Sequence, residues 1–165
     1  MPAPRVTVLT TLYNKGAFVE DAIRSVLASS FADFELLVVD DASTDDGLLR
    51  ARAFTDPRIR ILTSETNTGR ADAANRGYDA ARGEYIAVLD ADDIAAPDRL
   101  EKQVAFLDAH PEVGVCGSYA QTFGIRDHIA TWPLTDEEAR GLLLFQDPLL
   151  YGSAIIRRSV LEEHG

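Results

Sequence analysis

Short apolar runs alternate with amphipathic segments from the start of the chain to residue 111. The runs are rich in β-branched residues and predict strands at residues 5–11, 35–40, 58–63 and 85–89. Apolar residues at helical spacing, or Ala-rich stretches, predict helices at residues 17–29, 47–54, 70–82 and 97–110. Strands this apolar need cover on both faces. The pattern therefore predicts an α/β fold with a mostly parallel, Rossmann-like sheet flanked by helices.

The pattern changes after residue 111, because strand-like segments there follow one another without helices between them. The expected elements are strands at 113–117 and 119–123, a hairpin or loop at 127–133, a helix at 135–145, a strand at 152–157 and a helical turn from Ser159. Thr135 and Glu138 form a capping box at the start of the expected helix. No internal linker is visible, so a single domain is predicted over residues 1–165.

Three of the predicted strands end in polar clusters. These are Thr10–Asn14 after the first strand, Asp40–Asp45 after the second and Asp90–Asp93 after the fourth. In sheets of this class, ligands bind beyond the carboxyl ends of the strands. We therefore expect the three clusters to lie at one edge and to form one site.

The cluster after the fourth strand contains three carboxylates, Asp90, Asp92 and Asp93. Like charges this close raise one another's pKa unless a cation offsets them. Hard oxygen ligands suit Mg²⁺ or Mn²⁺, which take their remaining ligands from water and from substrate phosphates. The alternative is a polar turn that caps the next helix through Asp93 or Asp98 and binds no metal.

Composition and charge narrow the classes of function. The net charge of −11 argues against a nucleic-acid partner, which needs a basic footprint. No apolar run is long enough to span a bilayer, and the start of the chain runs directly into a strand without a signal peptide. The single cysteine, Cys116, lies in an apolar stretch and fits a reducing compartment. We therefore expect a cytoplasmic protein, and the sequence leaves its oligomeric state open.

Five motifs in order resemble those of the family 2 inverting glycosyltransferases, which have a GT-A fold. The matching segments are VTVLTTLYN at residues 6–14, VVDDASTD at 38–45 (VVDDGSTD in the family), N-x-G and A-x-N elements at 67–69 and 73–75, GEYIAVLDADD at 83–93 and P-x-x-L at 97–100. Each motif alone is weak, but their order and spacing are specific. The resemblance covers about residues 5–163 and implies transfer of a sugar from a nucleoside-diphosphate sugar to an acceptor, with inversion at the anomeric carbon.

The resemblance also implies roles for the residues at the strand ends. Thr11 and Tyr13 would flank the base of a donor that is expected to be UDP-linked, although partial burial is the ordinary alternative for Tyr13. Asp41 would accept a hydrogen bond from the uracil N3–H or from a ribose hydroxyl, while Asp40 would brace the loop. Arg70 would offset the diphosphate charge, or would simply be a solvated arginine at a helix start.

The acidic cluster and its neighbouring loop complete the implied donor site. Asp90 would contact ribose or support its loop. The metal ligands would be Asp92 and Asp93, with Mg²⁺ or Mn²⁺ between the donor phosphates. Asn67 and Gly69 would shape the loop before the third helix, and Gly69 would need a positive φ.

The general base is where the chain departs from the family. The family's usual candidate is an acidic residue that follows a segment resembling residues 154–165, so the base is expected beyond Gly165. The residues Glu162, Glu163 and His164 are expected to form a solvated helix end and not to act as the base. Residues 1–111 would then form the donor-binding half and residues 112–165 part of the acceptor-side half. The acceptor, whether a glycan, a lipid-linked molecule or a small molecule, is left open, and polysaccharide biosynthesis is a family-level expectation. The alternative is a non-catalytic nucleotide-sugar-binding or interaction domain that lacks the base.

Overall fold

The computed structural model describes residues 3–123, 127–143 and 146–164. The elements up to residue 111 are β1 (Val6–Leu12), α1 (Val19–Leu27), β2 (Phe34–Asp40), α2 (Gly47–Arg52), β3 (Ile59–Thr63), α3 (Arg70–Ala80), β4 (Tyr85–Val88) and α4 (Arg99–Ala109). The later elements are β5 (Val115–Cys116), β6 (Ala120–Thr122), β7 (His128–Ala130), α5 (Asp136–Leu142), a 3-10 turn (Tyr151–Ser153), β8 (Ile155–Arg157) and α6 (Arg158–His164). The strand–helix alternation predicted for the first part is confirmed.

The main sheet has the strand order β3-β2-β1-β4-β8-β5. The first four of these strands are parallel, whereas β8 runs antiparallel to both of its neighbours. The expected mostly parallel sheet is therefore confirmed. Leu12 lies opposite Asp40 in the register of β1 and β2, so the polar segments that follow these strands leave the sheet side by side.

Apolar side chains cover both faces of the sheet, as the uninterrupted apolar strands predicted. Successive residues of a strand point to opposite faces. On β1, Val8 joins a buried cluster with Ile23 of α1 and Leu107 of α4. Leu9 joins a second cluster with Ala73 of α3 on the other face. Burial of this kind stabilises a fold by about 1.5–3 kcal/mol for each large apolar side chain, and here it fixes where the strands end.

The elements after residue 111 are shorter than the sequence predicted. The strands expected at 113–117 and 119–123 are reduced to the two residues of β5 and the three of β6, and β6 pairs with β7 in a separate two-stranded sheet. Residues 144–145, at the end of the expected helix 135–145, lie outside the described residues. The strand expected from residue 152 begins later, because amide hydrogen bonds to the carbonyl oxygens three residues earlier close the 3-10 turn first.

Two predicted helix starts also differ in detail. Helix α4 begins at Arg99 rather than at Pro97, which lies in the preceding turn. At the start of α5 the Thr135 hydroxyl accepts a hydrogen bond from the Glu138 amide, as expected, but the Glu138 carboxylate accepts from the Leu134 amide rather than from Thr135. Across the described ranges, none of the helices combines the length and the apolar character that crossing a bilayer requires.

Candidate functional site

The polar ends of β1 and β2 are tied together by one asparagine. The side-chain oxygen of Asn14 accepts hydrogen bonds from the Thr44 amide at 2.8 Å and from the Asp45 amide at 3.3 Å. Asn14 itself has a φ of 52°, a left-handed conformation that asparagine tolerates better than most residues. The clasp leaves the ring of Tyr13 45% exposed, while Thr11 on β1 is half-buried. Contact of Thr11 and Tyr13 with a nucleotide base stays a prediction.

The two carboxylates at the end of β2 both brace loops. Asp40 is buried and accepts a weak hydrogen bond from the Ser43 amide, in line with its expected role. Asp41 is only 2% exposed, and its carboxylate accepts hydrogen bonds from the Thr68 amide and hydroxyl, the Gly69 amide and the Arg76 guanidinium. Burial alone would raise the pKa of Asp41, but these hydrogen bonds outweigh it and hold the pKa below its ordinary value.

This bracing role of Asp41 was not anticipated, because the sequence interpretation assigned it to Asp40. Arg76 of α3 supplies an ion pair to Asp41 at 2.7 Å, and nothing in the sequence pattern indicates that contact. Gly69 has a φ of 92°, which confirms the predicted positive φ, and the Asn67 side chain donates to the Asp41 carbonyl oxygen. Contact of Asp41 with a ligand stays a prediction. The ligand would have to bind a carboxylate that already accepts hydrogen bonds from the protein.

The segment Asp90–Asp93, called here the acidic turn, lies at the same edge beyond β4. The Arg70 guanidinium donates to both oxygens of Asp90, at 2.9 and 3.2 Å. The Lys15 ammonium lies 2.5 Å from Oδ2 of Asp92. Together with the Asn14 clasp, these contacts confirm that the three predicted polar clusters meet at one edge. Lys15 was missed as a site residue, although its position directly after the first cluster is a usable signal.

Two carboxylates of the acidic turn have raised pKa values although cations lie close to them. Burial raises the pKa of Asp90, and the opposing charge of Arg70 does not cancel that effect. Burial, and then the charges of Asp90 and Asp92, also raise the pKa of Asp93. A bound cation would relieve both shifts, so the electrostatics fit a cation site.

The 3-10 turn Tyr151–Ser153, called here the closing segment, lies against the acidic turn at Gly152. A Cβ atom on Gly152 would lie 3.1 Å from Oδ2 of Asp90 and 3.1 Å from Oδ2 of Asp93, so a larger residue at this position would have to push these carboxylates aside. The Tyr151 ring lies 4.7 Å from the Arg70 guanidinium carbon, which is a cation–π distance. This contact holds Arg70 between an aromatic face and Asp90.

A buried arginine fixes the closing segment from below. Arg99 of α4 donates to the carbonyl oxygens of Val88 and Ala154, at 2.9 and 3.3 Å. Gln103, one turn later, donates to the Ser153 carbonyl oxygen at 2.9 Å. Burial lowers the pKa of Arg99 to about 10, so it stays charged at neutral pH. The P-x-x-L motif thus carries a residue that joins β4 to the closing segment.

The acidic turn was predicted either to bind a metal ion or to cap helix α4. Asp98 occupies the N-cap position of α4 but makes no capping hydrogen bond through its side chain, and it pairs with Lys102 instead. The helix-capping alternative is therefore unsupported for Asp98. No three His, Cys, Asp or Glu side chains group closely enough to hold a metal ion within residues 3–123, 127–143 and 146–164. One or two carboxylates still fit an ion such as Mg²⁺, which usually keeps waters and substrate phosphates as ligands.

The part of the chain after residue 111 has an open groove of about 670 Å³, lined by aromatic and aliphatic side chains that include Tyr119, Trp132 and Leu142. The groove adjoins the closing segment, because the amide of Ser118 donates to the Ser153 hydroxyl. Glu163 and His164 at the end of α6 are exposed, as expected of a solvated helix end. Burial raises the pKa of Cys116 to about 11, which fits an unreactive core thiol.

Comparisons with known proteins agree with this architecture. A model of glycosyl transferase family 2 matches residues 7–165. Glycosyltransferase GlyG of Streptococcus pneumoniae serotype 4 is 32% identical over 72% of this chain and 41% of its own. The Escherichia coli protein WfgD, a UDP-Glc:alpha-D-GlcNAc-diphosphoundecaprenol beta-1,3-glucosyltransferase, is 38% identical over 62% of this chain and 40% of its own.

One solved structure extends the comparison to the fold. The mannosyltransferase PcManGT from Pyrobaculum calidifontis, in complex with GDP-Man and Mn²⁺, superposes with a TM-score of 0.75 and 25% identity, over 98% of this chain and 47% of that one. The chain spans about half the length, or less, of the curated relatives it matches. The family match covers nearly the whole chain, and the chain belongs to glycosyltransferase family 2, with a GT-A fold.

Proposed function

We propose that the strand-end site binds a nucleoside-diphosphate sugar, with UDP as the nucleotide, and that Asp92 and Asp93 hold a Mg²⁺ or Mn²⁺ ion against its phosphates. The observation that carries the proposal is the convergence of three strand ends on one partly buried acidic turn whose Asp90 and Asp93 have raised pKa values, with Lys15 and Arg70 beside it. A diphosphate brings further negative charge, which suits a site that joins cations to carboxylates. The relatives support the donor class, since WfgD is named for UDP-Glc and PcManGT was solved with GDP-Man and Mn²⁺.

Residues at the strand ends would each bind a different part of the donor. The exposed side chain of Tyr13 would offer a stacking face for the base, Thr11 would flank the base with it, and Asp41 would accept a hydrogen bond from the base or the ribose. Arg70, which contacts Asp90 and the Tyr151 ring, would offset phosphate charge. The metal, when bound, would neutralise the charge that develops on the nucleoside-diphosphate leaving group.

Transfer with inversion needs no covalent enzyme intermediate. The acceptor hydroxyl would attack the anomeric carbon as its proton passes to a general base, and the bond to the donor phosphate would break. We place that base beyond Gly165. The acceptor would approach from the Trp132 groove, and WfgD, whose name includes a diphosphoundecaprenol-linked sugar, supports a lipid-linked glycan as one acceptor class.

A non-catalytic nucleotide-sugar-binding domain is the second candidate. It is favoured by the closing segment Tyr151–Ser153, which brings neither a carboxylate nor an imidazole to the acidic turn. Release of UDP from a UDP-sugar by the 165-residue chain with Mn²⁺ and an acceptor would exclude this candidate, and it would also overturn the placement of the base beyond Gly165.

Calorimetric titration of UDP, first with Mn²⁺ and then with EDTA, tests the donor site. We expect binding that depends on the metal, and we expect Asp92→Ala to lose it by at least about a hundredfold, because a metal ligand is removed. Asp98→Ala is a matched control. Asp98, like Asp92, lies 2.5 Å from a lysine ammonium, but it lies outside the acidic turn.

The outcomes separate the parts of the proposal. Equal binding by wild type and Asp92→Ala would remove Asp92 from the metal site. Binding of GDP or dTDP but not UDP would keep the site and correct the base. If none of these nucleotides binds with Mn²⁺, the donor site is wrong.

A further inference from the structure

Two cations contact the acidic turn, and they are held very differently. Arg70 makes a two-oxygen hydrogen-bonded pair with Asp90 and stacks over the Tyr151 ring. Lys15 lies in the loop after β1, and within the described part of the chain its only ion pair is with Asp92. Its side chain is 42% exposed, so water can reach the ammonium. Arg70 is therefore fixed by several contacts and Lys15 by one.

The one ion pair of the Lys15 side chain within the described residues is made with the carboxylate that we assign to the metal. The ammonium lies 2.5 Å from Oδ2 of Asp92. A divalent ion bound to the same carboxylate would stand beside that ammonium, and like charges at such a separation repel strongly where water is partly excluded. The ion and the ammonium would therefore compete for the same carboxylate.

We propose that Lys15 is a built-in counter-cation of the acidic turn, which a divalent metal ion must displace from Asp92. This inference rests on the proposed function, because it takes the metal to bind at Asp92. Lysine suits an exchangeable counter-cation, since it carries a compact charge on a flexible four-carbon stem and is readily rehydrated. The ammonium, once released, is free to pair with the diphosphate that arrives with the metal.

The exchange couples metal binding to donor binding. Without nucleotide, the metal must compete with Lys15 and binds weakly. With nucleotide, the released ammonium gains a new anionic partner, so the same competition costs less. Because binding free energies are reciprocal, the nucleotide and the metal must then strengthen each other by the same factor. Lys15 would set part of that factor.

The chain offers a matched control for this test. It contains two lysines, Lys15 and Lys102, and each lies 2.5 Å from an aspartate oxygen. Lys102 pairs with Asp98 along α4, outside the acidic turn. Lys15→Met and Lys102→Met therefore remove the same charge and the same type of pair from two places, and only the first touches Asp92.

The test is calorimetric titration of Mn²⁺ into the wild-type chain and both variants, without nucleotide and with saturating UDP. Without UDP we expect Lys15→Met to bind Mn²⁺ about tenfold more tightly than wild type, within the usual range of coupling between sites. The factor by which UDP strengthens Mn²⁺ binding should fall about tenfold in Lys15→Met. Lys102→Met should match wild type in both comparisons.

A spectroscopic readout follows the ammonium directly. In protein labelled with ¹⁵N-lysine, Mg²⁺ should shift the side-chain signal of Lys15 and leave that of Lys102 unchanged. A Lys15 signal that does not respond to Mg²⁺ at concentrations that saturate the site would overturn the exchange.

The calorimetric outcomes are distinct from failure of the proposed function. Mn²⁺ binding to Lys15→Met that is equal to or weaker than wild type would overturn the counter-cation role, and so would an equal gain in Lys102→Met, which would reflect net charge alone. If Mn²⁺ binds neither wild type nor Lys15→Met, with or without UDP, the proposed metal site fails and the inference fails with it. The wild-type titration alone detects that failure, because it requires no comparison with a variant.

Discussion

The carboxylates at the ends of β2 and β4 lie at the same edge of the sheet but have opposite electrostatic states. Asp41, after β2, is buried and accepts hydrogen bonds from Thr68, Gly69 and Arg76, which hold its pKa below the ordinary value. Asp90 and Asp93, after β4, are half-buried, and their pKa values are raised. The difference comes from the donors that surround each group, since the residue type is the same.

This contrast separates structural from ligand-binding carboxylates within one site. The charge of Asp41 is already used to fasten the loop at residues 67–69 and helix α3 to the end of β2. Burial disfavours the charged forms of Asp90 and Asp93 despite the cations beside them, and an added cation would stabilise those charged forms. A carboxylate that accepts few hydrogen bonds from the protein is therefore the better metal-ligand candidate. This holds even though Asp41 and the acidic turn both belong to motifs that resemble those of the family.

The largest expected effect is the loss of stability in Asp41→Ala. The change leaves Arg76 without its partner and removes the acceptor for several loop donors, so we expect the free energy of unfolding to fall by about 3 kcal/mol. Urea unfolding followed by circular dichroism measures it. Asp46→Ala is the control, because Asp46 also pairs with an arginine at 2.7 Å but is 52% exposed, and exposed pairs of that kind contribute little to stability. Equal losses in the two variants would remove the distinction drawn for Asp41.

The acidic turn should respond in the opposite direction. Asp93→Asn removes a charge that burial and its neighbours disfavour, so we expect the free energy of unfolding to rise by roughly 0.5–2 kcal/mol at neutral pH, while Mn²⁺ binding weakens. The pKa of Asp93 is higher in the folded state, so its ionisation destabilises the fold fully above that pKa. The penalty disappears as the group becomes protonated in both states, below the ordinary value of about 3.9.

Urea unfolding of wild type and Asp93→Asn at several pH values tests this sign. The gap between the two proteins should widen as pH rises from about 4 and then level off. A less stable Asp93→Asn at neutral pH would show that Asp93 makes a stabilising contact, and the contrast between the two clusters would then need another cause.

The sequence predicted the parts of this site that depend on local pattern. Apolar strands such as residues 36–39 predict a sheet covered on both faces, and parallel strands bring their ends to one edge whatever their order. The positions of Asp90 and Asp92 followed from that rule. The boundaries of the first four helices were also predicted to within a few residues, because the apolar period that marks a helix is local.

The contacts that decide the electrostatics were not predictable in the same way. Lys15 and Asp92 are separated by 77 positions, and Arg76 and Asp41 by 35, so neither pair leaves a periodic signal in the sequence. The insertion of β8 between β4 and β5 carries Gly152 to the acidic turn from the far end of the chain. Roles for single carboxylates depend on such contacts, which explains why bracing was expected of Asp40 and was found at Asp41 also.

The smallest expected effect concerns the backbone beside Asp41. Ala42 has a φ of 61°, and it stands where the family segment quoted above has glycine. A left-handed conformation costs a non-glycine residue about 1–2 kcal/mol, while glycine loses more entropy on folding, so we expect Ala42→Gly to stabilise the chain by about 1 kcal/mol. Ala105→Gly is the control, because Ala105 is exposed in the interior of α4 and the same exchange there should destabilise by about 0.5–1 kcal/mol. Urea unfolding distinguishes the two signs, and Mn²⁺ affinity should stay unchanged in Ala42→Gly, since the strain belongs to the structural cluster. A change in Mn²⁺ affinity without a gain in stability would show that the strained turn serves the metal site instead.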